Sequence, residues 1–89
     1  MKIWKYPVYP HVFSHTMPRG AKFLSVQPQH EDVQMWFSID PGFQVASEEL
    51  TDLRFFQVVA TGEEYKGNLV YLGTFQLGNF VFHLFEKNL

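Results

Sequence analysis

Apolar residues along this chain recur at every second position or in short continuous runs, and no stretch keeps the 3.6-residue period of an amphipathic helix. Pro, Gly, Asn and Asp punctuate these runs, so the pattern predicts strands joined by turns. Ile3 to Val8 reads as a first strand that Pro7 and Pro10 confine to a sheet edge or a strand end. Val12 to Met17 is a weaker second strand, closed by the turn sequence Met17-Pro18-Arg19-Gly20. Lys22 to Gln29 follows, with Phe23, Ser25 and Gln27 on one face and Leu24 and Val26 on the other. Val33 to Asp40 alternates most clearly: Val33, Met35, Phe37 and Ile39 share one side, and Gln34, Trp36, Ser38 and Asp40 the other. The polar His30-Glu31-Asp32 between these two strands fits a hairpin loop.

Asp40-Pro41-Gly42 stops the sheet, and residues 41 to 51 form the longest irregular stretch, with Ser47-Glu48-Glu49-Leu50 fitting one helical turn. Leu53 to Ala60 is apolar on both faces, which predicts a central strand covered twice. Residues 61 to 68 read as an exposed loop. Gly78-Asn79 between two apolar runs predicts a two-residue hairpin turn with glycine at its first central position. That turn implies a register in which Leu77 faces Phe80, Phe75 faces Phe82, Gly73 faces Leu84 and Tyr71 faces Glu86. One face of the hairpin then carries an aromatic layer with a gap at Gly73, open to a ring from another strand. The opposite face carries Gln76, Val81, Thr74, His83, Leu72 and Phe85. The predicted core is Phe75, Phe82, Leu77, Leu84, Phe55, Val59, Phe37, Ile39 and Leu24.

The expected architecture is all-β: a small antiparallel β-sandwich or barrel of six to seven strands in a single domain spanning residues 1–89. Composition fits a chain of this size. Aromatic residues make up 18% and charged residues only 18%, and large rings let a short chain bury more apolar area per residue. Acids outnumber Lys and Arg by nine to seven, which disfavours nucleic-acid binding, because stacking rings on a single strand need interleaved cations. The chain has no cysteine, which removes disulfides, thiolate metal sites and thiol nucleophiles together. No apolar run approaches a membrane span, and the first residues lack a signal-peptide core, so a cytoplasmic domain is expected.

Little points to catalysis, to a metal or to a cofactor. His11 and His15 stand four apart on extended chain, too distant to chelate, and read as solvated loop histidines. The acids sit in loop pairs, and no serine carries nucleophile-elbow glycines. The candidate binding residues are Trp36, Arg54, His83, Thr74 and Gln76. Arg54 lies on an apolar strand, where it either pairs with Asp52 or Asp40 at the sheet edge or anchors an interface. Trp36 lies on the more polar face of its strand, as core or as contact surface. His83 lies opposite Thr74 and diagonal to Gln76, which suits a half-buried histidine bonded to either, or a polar recess for a ligand.

Ile3-Trp4-Lys5-Tyr6, Met17-Pro18-Arg19-Gly20-Ala21, Leu24-Ser25-Val26-Gln27 and Ile39-Asp40-Pro41 carry a resemblance, as do Tyr71-Leu72-Gly73-Thr74-Phe75-Gln76-Leu77 and Val81-Phe82-His83-Leu84-Phe85-Glu86. Through these segments the chain resembles a family of small bacteriophage proteins of unknown function. It departs from them at Ala60-Thr61-Gly62, where relatives often carry Gly-Thr-Gly. The resemblance brings no activity or catalytic residue, and implies a viral product acting in the host bacterial cytoplasm. In that setting the leading expectation is a non-enzymatic accessory protein that binds and inhibits a host protein, in the first place an anti-phage defence component. A sponge that holds a cyclic nucleotide through His83, Thr74, Gln76 and Arg54 is the second, and a virion-assembly role the third. A homo-oligomer, first of all a dimer, is expected because a small aromatic-rich sandwich exposes apolar patches or strand edges.

Overall fold

The computed structural model describes residues 1–40 and 51–88, and within them the chain forms seven strands and no helix. The strands are β1 (Lys2–Pro7), β2 (Val12–Pro18), β3 (Lys22–Gln29), β4 (Asp32–Ile39), β5 (Thr51–Ala60), β6 (Leu69–Leu77) and β7 (Phe80–Lys87). They form two antiparallel sheets, ordered β1-β4-β3 and β2-β5-β7-β6, which are not closed into a barrel. The all-β expectation is met as a sandwich. The helical turn expected at Ser47–Leu50, and the irregular stretch around it, lie outside the described residues, while Thr51 and Asp52 already belong to β5.

Each turn has a local cause. Pro18-Arg19-Gly20-Ala21 closes with the Ala21 amide donating to the Pro18 carbonyl at 3.1 Å, and Gly20 takes φ +81° at the third position, where only glycine sits without strain. Gly78 has φ +62° at the first central position of the β6–β7 hairpin, as its sequence predicts. The corner between β1 and β2 is tied to both sheets: the Val8 amide donates to the Val33 carbonyl, and the Val58 amide to the His11 carbonyl, each at 2.9 Å.

The core lies between the sheets. Phe37, Phe56, Met17, Met35, Ile39 and Leu84 are its largest fully buried side chains, joined by Phe13, Val26, Val33 and Phe75. β4 supplies it as its alternation predicts. Phe55 is only half-buried; its neighbour Phe56 points inward instead, stacked on Phe13 at 5.5 Å between ring centroids. On β5, apolar on both faces, pairing with β2 decides which side faces in.

Two bulges correct the expected faces. On β3 the register shifts between Phe23 and Ser25, so Phe23 and Val26 both face the core and Leu24 is left 49% exposed. On β6 it shifts between Tyr71 and Gly73. The predicted pairs hold from Leu77–Phe80 to Gly73–Leu84, but Tyr71 then lies opposite Phe85 rather than Glu86. Leu72 turns in against the core and Tyr71 turns out, the reverse of the expected arrangement. Leu77 and Phe82 also depart from full burial: Phe82 packs on the core from its margin, and Leu77 is 38% exposed. The expected gap at Gly73 is present. It is filled from the facing sheet by Val26, with the Phe23 ring behind.

Tyr6 enters this core from β1 with its hydroxyl buried and without a hydrogen-bond partner. Burial pushes its pKa above the ordinary tyrosine value, and the Arg54 charge opposes that shift in part. Two results follow. Tyr6→Phe, which removes an unsatisfied polar atom and little else, is expected to stabilise the fold by about 1 kcal/mol. Because the folded-state pKa is raised, the native protein holds this proton more tightly than the unfolded chain does. Stability contributed by the neutral phenol is complete below pH ~10 and is lost as pH rises through the folded value. Denaturant titrations above pH ~10 are therefore expected to show wild type losing stability faster than Tyr6→Phe.

Candidate functional site

The outer face of the four-stranded sheet departs from the usual polar exterior. Strand alternation and register put Val12, Ser14 and Thr16 outward on β2, and Leu53, Phe55, Gln57 and Val59 on β5. On β7 the outward residues are Val81, His83, Phe85 and Lys87, and on β6 they are Tyr71, Thr74 and Gln76. None of these positions holds a carboxylate, and Lys87 is their one permanent cation. The charged residues Asp52, Arg54 and Glu86 lie on the inward side of the same sheet. Apolar side chains stand open on the outer face: Leu53 is 58% exposed, Tyr71 56% and Val12 51%.

Across β6 and β7 on this face, and on to the turn after β5, runs a chain of hydrogen bonds. His83 Nδ1 lies 2.9 Å from Thr74 Oγ1, and its Nε2 lies 2.8 Å from Thr61 Oγ1. Thr74 Oγ1 in turn meets the Tyr71 hydroxyl at 2.5 Å. A neutral imidazole satisfies this chain in either tautomer, with the hydroxyl protons all running one way or all the other. The His83 ring is thus held in one orientation at both nitrogens. Beside it, Phe85 is only 8% exposed although it faces outward, because Tyr65 from the β5–β6 loop and Tyr71 pack on it at 4.9 and 5.7 Å. The bulge at Leu72 creates both arrangements, since it is what turns Tyr71 onto this face.

The five residues singled out from sequence do not form one site: His83, Thr74 and Gln76 share the outer face of the four-stranded sheet, and Arg54 and Trp36 lie elsewhere. His83 and Thr74 meet as expected, and Thr61 is the third member that sequence reading missed. Thr61 arrives at His83 only through the pairing of β5 with β7, which no local pattern reveals. Gln76 shares the face but turns to its own hairpin, its Nε2 donating to the Gly78 carbonyl at 3.2 Å. Trp36 stands half-buried on the outer face of the other sheet, opposite Lys5 on β1 and Ser25 on β3.

Arg54 points between the sheets. Its Nε and Nη2 donate to the two Glu86 carboxylate oxygens at 2.7 Å each, and its Nη1 donates to the Ala21 carbonyl at 2.6 Å. The guanidinium also lies over the Phe37 ring, 5.2 Å from its centroid. Its partner is therefore Glu86, not the expected Asp52 or Asp40. Glu86 reaches it because β7 lies beside β5, so that Glu86 is in register with Phe56. The bidentate bond to Glu86 holds the guanidinium pKa above its ordinary value, against the opposing effect of burial.

His15 also corrects its reading as a solvated loop histidine. It is half-buried on the inner side of β2 among Tyr6, Tyr9 and Phe13, and its Nε2–H donates to the Pro7 carbonyl at 2.7 Å. Among the described residues no three His, Asp or Glu side chains stand close enough to hold a metal ion. No helix among them is long and apolar enough to cross a membrane.

Comparison with curated proteins and with solved structures finds no match. Comparison with protein-family models matches the full length, residues 1–89, to a domain of unknown function, DUF7352. The chain belongs to the DUF7352 family.

Proposed function

We propose that this chain is a non-catalytic binding protein that takes a protein partner on the outer face of its four-stranded sheet. The supporting observation is the composition of that face: tyrosines and aliphatic side chains around a fixed Tyr71–Thr74–His83–Thr61 chain, without a carboxylate. The centres of protein interfaces are depleted of charge and enriched in aromatic residues. Tyrosine gives an anchor that buries a ring while its hydroxyl keeps a partner. The sequence likeness to small bacteriophage proteins favours a host bacterial protein as that partner, first of all a defence component, met in the host cytoplasm.

Wild type and Leu53→Lys/Tyr71→Lys, immobilised side by side, test the reading against host lysate and then against the purified protein that wild type retains. Two cations buried within the contact are expected to weaken binding at least ~100-fold, since each desolvated charge costs more than a factor of ten. Trp36→Ala, on the opposite face, is expected to bind as wild type does. Undiminished binding by the lysine variant, or loss of binding in Trp36→Ala alone, would move the contact off this face.

A further inference from the structure

The β6–β7 hairpin ends in Leu77-Gly78-Asn79-Phe80, and Phe80 is the most exposed aromatic side chain among the described residues, at 68%. Phe80 has the parity of Phe82 and Leu84, so it projects from the inner side of its sheet, past the end of the sandwich core. Next to it the two sheets leave a groove of about 130 Å³, lined by Val8, Tyr9, Val33, Val58 and Phe82 among others. Phe80 reaches the rim of that groove: its ring lies 6.4 Å from that of Phe82, and its register partner Leu77 forms part of the lining. An apolar knob and an apolar hole thus sit side by side at one end of the molecule, and the knob does not occupy the hole.

We propose that the groove takes Phe80 of a second copy of this chain, in a two-fold dimer in which each hairpin tip enters its partner. Size supports this occupant, because an apolar cavity of ~150 Å³ holds a benzene ring. Symmetry supports it too. A knob and a hole on the same patch satisfy each other reciprocally about a two-fold axis and close, whereas a knob and a hole on distant patches would build an open chain. Charge places no obstacle: neither the groove nor residues 77–81 carry a charged side chain, so two copies of a chain with net charge −2 meet there without like-charge contacts. The groove opens between the sheets at their end, apart from the outer face proposed above for a partner protein, so either site can fail without the other.

Sedimentation velocity from micromolar to millimolar concentration tests this with wild type, Phe80→Ala and Phe80→Ser. Wild type is expected to form a dimer, and either substitution to raise its dissociation constant at least ~100-fold, since two rings are lost per dimer and each is worth a factor of ten or more. Phe80 is largely solvated in the monomer, so both variants are expected to fold, and circular dichroism checks that. An isotope-filtered nuclear Overhauser experiment on mixed labelled and unlabelled wild type reads the contact without any substitution. Intermolecular signals are expected between the Phe80 ring and the Val33 and Val58 methyl groups. A wild type that stays monomeric at millimolar concentration would overturn the proposal. So would a dimer that survives both substitutions, or one that lacks those signals.

Discussion

Gly73→Ala is expected to destabilise the protein by about 1–3 kcal/mol, the usual penalty of overpacking a filled core. A Cβ at this position would sit 2.9 Å from Val26 Cγ1. Val26 is 7% exposed and β-branched, so its methyl group cannot swing aside without an unfavourable rotamer or a backbone shift. The Phe23 ring, 3.8 Å away, adds only ordinary contact. Gly73 is not in the left-handed region, so the penalty is steric. The lower chain entropy of unfolded alanine works the other way by roughly 0.4–1 kcal/mol, which leaves the clash to decide the sign. Val26→Ala supplies the control. Alone it removes two methyl groups and costs about 1–2 kcal/mol. Combined with Gly73→Ala it makes room for the new Cβ, so the double variant is expected to be more stable than the two single losses predict, by about 1 kcal/mol or more. Urea midpoints of the four proteins measure that coupling, and strict additivity would show that the two sheets do not meet at this point.

Glu86→Ala is expected to cost about 2–3 kcal/mol. It leaves Arg54 between the sheets with the Ala21 carbonyl and the Phe37 ring but no ion-pair partner, Asp52 acting on it only through space. Removing one partner of a fully buried ion pair costs ~3–5 kcal/mol. Here the two side chains keep 20% and 23% of their exposure, and solvent screening lowers the expectation. Replacing both, as Arg54→Met/Glu86→Leu, is expected to recover most of the loss, because two apolar groups of similar size need no counter-charge in the same space. Arg19 and Asp52 give the contrast. Their contact at 3.3 Å joins side chains that are 61% and 45% exposed, and Arg19→Ala is expected to change stability by no more than about 0.5 kcal/mol. Thermal and urea unfolding of these variants separate the two ion pairs. Equal effects of Glu86→Ala and Arg19→Ala would mean that the inward position of Arg54 gives its pair no special weight.

Both predictions rest on contacts that join elements far apart in sequence, which is where reading the chain alone stops. The alternation of Val33, Met35, Phe37 and Ile39 identified β4 and its buried face, because side chains of an extended chain point to opposite sides whatever surrounds them. Gly78-Asn79 set the hairpin and its first five register pairs, because a positive φ at the first central residue admits one turn geometry. The prolines confined β1 to a sheet edge or a strand end for an equally local reason, the missing backbone donor, and β1 is an edge strand that ends at Pro7. Of the candidate site, the meeting of His83 with Thr74 was legible for the same cause: it lies within the hairpin.

The tertiary structure decided the rest. One inserted residue at Leu24 and another at Leu72 reversed the predicted faces beyond them, and both bulges lie on the two strands that pack against each other across the sandwich. The pattern of β3 does not announce its insertion, and on β6 the local sign is Gly73, a glycine inside a strand; the bulges themselves are selected by how well Val26 and Phe23 fill the space at Gly73. The choice of Phe56 over Phe55 for the core, of Glu86 over Asp52 or Asp40 for Arg54, and of Thr61 as the second partner of His83 follows from one fact, that β5 pairs with β2 on one side and β7 on the other. Local sterics and turn geometry act between neighbours and can be read from neighbours. Strand order and bulges minimise the energy of contacts between residues tens of positions apart, and only the assembled sandwich contains those contacts.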